Sequence, residues 1–137
     1  MRIHYIRIAL AGITLFCSLL SPPISQKGQS SKLIMADGNN NETAKANLDW
    51  VAQSAGEAKL IIVIARLGLK ESKTRVSRRR LETVRMYLEN TRAVPRERII
   101  TAEGRRVRGF GQAEIYLDGK LFMVFTFARN RNFAPQG

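Results

Sequence analysis

Six consecutive apolar residues, Leu60-Ile61-Ile62-Val63-Ile64-Ala65, constrain this chain more than any other feature. The run is too short for a buried helix and is mostly β-branched, so it predicts a strand covered on both faces. Helical patterns flank this strand on either side in the sequence. Upstream, Asn41 and Glu42 suit a helix start, and Ala44, Leu48, Val51, Ala52 and Ala55 recur at helical spacing until Gly56 stops them. Trp50 beside this stripe is read as an anchor at the core edge.

Downstream, Gly68 to Thr74 reads as a loop, followed by a helix from Ser77 to Thr91. Ser77 is the expected N-cap, with Val76 and Leu81 in the positions of a hydrophobic staple. Leu81, Val84, Leu88 and marginally Tyr87 form the stripe to be buried. Arg78–Glu82 and Arg85–Glu89 stand four apart and are expected to pair on the outer side. Pro95 blocks continuation, "RIITAEG" (98–104) is a short strand, and "RRVRGFG" (105–111) is a basic turn. Asp118-Gly119 then marks a hairpin within "QAEIYLDGKLFMVFTF".

The order helix, strand, helix, strand, strand, strand predicts an α/β (α+β) two-layer sandwich. Two helices cover one face of a small mixed four-stranded sheet, and the helix from Ser77 makes a right-handed crossover between parallel strands. A two-residue turn would pair Tyr116 with Leu121, Glu114 with Met123 and Gln112 with Phe125. The sheet face away from the helices would then stay rather apolar. It is either a homodimer or partner surface, or is covered by the linker or the tail.

The first 25 residues are set apart from this domain. A basic start (Arg2, Arg7), an apolar run from Ile8 to Leu20 and "SPPIS" have the layout of a secretory signal. The run is shorter than the roughly 18–20 residues of a spanning helix. Cleavage is expected after Ser25, with Ala36 as a later option and an uncleaved anchor as the alternative. A periplasmic or secreted location follows. Residues 26–41 are read as a flexible linker, 42–128 as the domain and 129–137 as a tail. Phe16 before Cys17 argues against lipidation.

Cleavage would remove His4 and Cys17, the only histidine and cysteine, and with them disulfides, the usual proton shuttle, thiol nucleophile and zinc ligands. No catalytic residue, metal or cofactor is expected, and the chain is read as non-enzymatic. The glycines at 104, 109 and 111 lack the context of a phosphate loop. Charge is the remaining signal. The chain has 23 basic and 11 acidic residues, and losing Arg2 and Arg7 still leaves a net charge of about +10. Attraction to a polyanion is expected; export argues against nucleic acid.

Three arginines, 78 to 80, stand at a helix start, where the helix dipole favours acids. Arg80 lies on the flank of the buried stripe and points to an anion at the strand end, where backbone N–H groups add donors. That anion is either a carboxylate or phosphate of a ligand, or an internal Glu71 or Glu103. The candidate ligand-binding residues are Arg80, Ser77, Arg66 and Arg79.

The segment "VSRRRLETVRMYLENTRAVPRERIITAEG" resembles the helix–strand part of OmpA-like, peptidoglycan-associated domains, whose pattern reads L-S-x-x-R-A-x-x-V-x-x-Y-L and then R-I-x-x-x-G. Val76-Ser77, Arg80, Val84, Tyr87-Leu88, Arg98-Ile99 and Gly104 match it, and "LIIVIARLG" takes the place of the family's first buried strand. The resemblance implies a wall-binding envelope domain in which Arg80 helps hold the carboxylate of the wall peptide's diamino acid. The family's G-H-T-D aspartate has no counterpart in Ala65-Arg66-Leu67-Gly68, and Lys73 stands in place of an asparagine. The resemblance therefore implies the fold together with half of the family's site, and a different anionic ligand or none.

Overall fold

A computed structural model describes residues 33–72 and 75–133. The signal segment lies outside the described residues, as do the chain's last four. Strand β1 (Ile34–Asp37) leads to helix α1 (Asn41–Ala55) and strand β2 (Ile61–Arg66). Helix α2 (Arg75–Met86) follows, then a π-helical turn at Tyr87–Thr91, a 3₁₀ turn at Arg96–Arg98, and strands β3 (Ile99–Glu103), β4 (Gln112–Leu117) and β5 (Lys120–Thr126). The five strands form one sheet in the order β1-β5-β4-β2-β3. The fold is α+β, with two helices and a mixed five-stranded sheet.

The fifth strand corrects the expectation of four. Ile34–Asp37 falls in the stretch read as linker, yet it pairs in parallel with Met123–Thr126 and buries Ala36. Four residues among Gly, Ser and Asn carry too little periodicity to signal a strand, and only the free edge of β5 recruits them. Ala36, the later cleavage option, sits inside this strand.

Alternation along β2 assigns the two faces. Ile61, Val63 and Ala65 are fully buried, whereas Ile62, Ile64 and Arg66 are half-buried on the other side. The buried set joins Leu48 and Val51 of α1, Leu81 and Val84 of α2, Leu88, and Ile115, Met123 and Phe125 in one core, so both helices cover the same face. Each such side chain removed from water contributes about 1.5–3 kcal/mol. Trp50 sits at the core edge with its ring edge-on to Phe122 at 5.3 Å, still 43% exposed.

Helix starts differ by small but informative shifts. α1 is capped by Asn40, whose side chain accepts from the Thr43 N–H at 3.1 Å. α2 already begins at Arg75, so Ser77 is no N-cap; it lies buried in the first turn. The three arginines are accordingly a turn inside the helix and not at its exposed start. Past Met86 the helix widens into the π turn, where Tyr87 donates to Asp49 at 2.6 Å and Arg92 also bonds Asp49, tying this end to α1. Arg85 pairs loosely with Glu89 at 3.8 Å, whereas Arg78 and Glu82 instead line a groove beside β3.

The hairpin turn is Asp118-Gly119, with φ of 48° and 76°, as a two-residue primed turn requires. Tyr116 pairs with Leu121 as expected, but the register then shifts. Ile115 pairs with Met123, Glu114 with Val124, and Gln112 with Thr126. The extra residue is Phe122, which packs toward Trp50. This bulge corrects the expected pairing. It turns Met123 and Phe125 into the helix-covered core and leaves Gln112, Glu114, Tyr116, Val124 and Thr126 on the open face.

Candidate functional site

The arrangement starts at the end of β2, where the chain leaves the sheet through Leu67–Ser72. Gly68 N–H donates to Glu71 Oε2 at 2.9 Å, and Glu71 N–H donates to the Gly68 carbonyl at 3.0 Å. This tight turn aims the Glu71 carboxylate inward under α2. Arg80, on the inner face of α2, meets it with two parallel bonds, Nη2 to Oε1 at 2.6 Å and Nη1 to Oε2 at 3.1 Å. Both side chains are entirely shielded from solvent.

The segment after β5 closes the pair from above. Arg80 Nε and Nη2 both donate to the Arg131 carbonyl, at 3.1 and 2.6 Å, and Asn130 N–H donates to Glu71 Oε1 at 3.0 Å. The Phe127 ring lies 4.1 Å from the guanidinium carbon. Gly111 packs so tightly against Arg80 and Glu71 that a Cβ there would collide with both. Residues 129–133, read from sequence as the start of a tail, are thus part of the fold, and Phe133 is buried edge-on against Phe125 and Phe127. Burial pushes the Glu71 carboxyl up, but the bonds from Arg80, Gly68 and Asn130 outweigh it and hold it below its usual value.

The anion that Arg80 meets is therefore Glu71; Glu103 stands exposed at the end of β3. The other candidates do not converge on it. Ser77 is buried, Arg79 is exposed on α2, and the Arg66 side chain crosses to the opposite face of the sheet. There Arg66 grips Glu114 through Nε at 2.7 Å and Nη2 at 3.1 Å, and Glu114 also accepts from Gln112 at 2.6 Å and Tyr116 at 2.9 Å. Burial raises the Glu114 carboxyl, while Arg66 and its two strand neighbours pull it down further than burial lifts it. Arg98, matched to the family pattern, donates to the carbonyls of Gly56 and Lys59 beyond α1, a structural task.

Sequence reasoning named Glu71 as one possible partner but missed the residues that seal it, Phe127, Asn130 and Arg131. It also missed the Arg66–Glu114 cluster. The signal for the latter was present: Gln112, Glu114 and Tyr116 alternate on one strand face.

One end of the domain gathers exposed basic side chains. The ends of β2 and β3, the starts of β4 and α2 and the exit from β5 all meet there. This tip exposes Lys70 after β2, Arg75, Arg78 and Arg79 on α2, Arg105, Arg106 and Arg108 before β4, and Arg129 and Arg131 after β5. Of the carboxylates there, Glu71 and Glu114 are occupied; Glu103 stands beside the arginines, with Asp37 and Glu42 away on the β1–α1 side. The opposite end mixes Glu57, Glu97 and Asp118 with Lys59, Arg92, Arg96, Arg98 and Lys120. A groove of about 360 Å³ between α2 and β3 opens beside the tip, walled by Arg78, Glu82 and Arg85 against Thr101–Glu103.

The tip presents guanidinium donors to solvent, while the fully buried Arg80–Glu71 pair is satisfied internally. Among the described residues no cluster of three or more His, Cys, Asp or Glu is placed to hold a metal ion. No protein-family model, curated protein or solved structure matches this chain.

Proposed function

We propose that this is an exported, non-catalytic domain of the cell envelope that binds an anionic envelope ligand through its basic tip, and not through Arg80. The observation that carries the reading is that most exposed arginines among the described residues gather at one end, while the opposite end, with Arg92 and Arg96, mixes both signs. A one-signed field of this kind concentrates polyanions and steers their approach. Export is supported by the leader-like start of the sequence, and the absence of catalysis by the confinement of His4 and Cys17 to that leader.

The resemblance of residues 76–104 to OmpA-like domains motivates a reading of descent from such a domain. On that reading the guanidinium that would hold a wall-peptide carboxylate is held by Glu71, and recognition has moved outward to the tip. The test is retention of the full chain on purified peptidoglycan sacculi and on a heparin matrix, eluted with salt. Retention is expected to fall steeply with ionic strength, and a triple Arg79→Glu/Arg105→Glu/Arg108→Glu variant should elute early on at least one of them. Unchanged elution of a folded triple variant on both would overturn the reading.

A further inference from the structure

The basic tip also carries apolar side chains that the core does not use. Leu69 is 65% exposed, more than any other large apolar residue described, and Phe110 is 43% exposed. They come from loops separated by some 40 positions, yet the fold holds these loops together. Leu69 N–H donates to the Val107 carbonyl at 2.8 Å and Lys70 N–H to the Gly109 carbonyl at 3.1 Å. Gly68 lies against the Phe110 backbone with no room for a Cβ. Arg106 clamps the same turn by donating to the carbonyls of Gly68 and Glu71 at 3.2 and 2.9 Å. Lys70 stands 5.8 Å from the Phe110 ring, and Arg105 and Arg108 precede Phe110 in the same turn.

We propose that this tip docks on an anionic phospholipid surface, with Leu69 and Phe110 entering the headgroup–acyl boundary and Lys70, Arg105 and Arg108 meeting the phosphates. The inference deepens the reading of the basic tip and rests on it. A soluble polyanion such as a polysaccharide would leave Leu69 in water, and an aliphatic side chain lacks the π face on which a nucleobase stacks best. A bilayer offers an apolar phase directly behind its negative charge, which matches the layout of the tip. The loops are also pre-ordered. Glu71, which closes the Leu67–Ser72 turn, is locked to Arg80, so little conformational freedom remains to be lost on docking.

The test uses the full chain carrying Phe110→Trp, with vesicles of phosphatidylcholine alone or mixed with phosphatidylglycerol, and acyl chains brominated to quench an inserted indole. Trp50 supplies the background, read from the unsubstituted chain. The expected result is a blue-shifted, quenched signal from position 110 on the anionic vesicles and none on the neutral ones. Leu69→Ser should weaken that insertion about tenfold, and Arg105→Gln or Arg108→Gln about fivefold each. The inference is overturned if the indole at position 110 stays unshifted on anionic vesicles, even when the chain sediments with them through its N-terminal segment. It is equally overturned if an oligonucleotide of the same charge shifts and protects the indole as the vesicles do. Retention on sacculi or heparin without vesicle insertion would leave the basic-tip reading standing and remove only the membrane one; loss of both would remove both.

Discussion

Two arginines of this domain grip a glutamate with a two-pronged bond, and they do so in opposite surroundings. Arg80 and Glu71 lie sealed between α2, the loop after β2 and the segment after β5. Arg66 and Glu114 lie on the open sheet face, with side chains 25% and 11% exposed. The sealed pair has no water to replace a lost partner, while the open pair has. Position therefore decides how strongly the same chemistry matters, and the sealed pair is an organiser of the tip rather than a receptor for ligand.

The sharpest way to break this contrast is Arg80→Met, which leaves the Glu71 carboxylate buried without its cation. We expect a loss of about 3–5 kcal/mol in urea unfolding. A loss under about 1 kcal/mol would mean that water reaches the pair, and the contrast would fail. Acid gives the next largest effect. Glu71 and Glu114 both titrate below their ordinary value in the folded chain, so both stabilise it fully at neutral pH. That contribution is lost as the pH falls from about 5 through their depressed values. Urea midpoints measured down this range should decline, and less steeply for Glu71→Gln. A wild-type midpoint that holds level through that range would contradict the assignment.

Arg66→Met should cost about 1 kcal/mol, since Gln112, Tyr116 and water can still serve Glu114. If its urea midpoint moves as far as that of Arg80→Met, the open face is covered. Smallest is Arg98→Ala, at about 0.5 kcal/mol, because Arg98 meets only carbonyls at an exposed helix exit. A larger shift in its thermal midpoint would mark the α1–β2 turn as a third organiser of the fold.

Local signals account for much of the fold. The Leu60–Ala65 run became β2 with a one-residue shift, Gly56 ended α1, and Asp118-Gly119 formed the hairpin turn. Each depends on neighbours in the chain, where propensity and turn chemistry act directly. The failures share the opposite cause. β1 pairs with the otherwise free edge of β5, the bulge sets Phe122 against Trp50 at the core edge, and α2 starts before its best cap. The site was half legible in the same way: Arg80 stood out by its charge in the helix, but the seal over it is made by residues about 50 positions away.

The sequence alone determined the apolar strand β2, the crossover helix, the hairpin and the excess of positive charge, because each is written in adjacent residues or in simple composition. Only the tertiary structure decided which arginines are buried and which face outward. A guanidinium loses its solvent when distant segments close over it, and that closure depends on the packing of Phe127, Phe133 and the loop after β2, not on any local pattern.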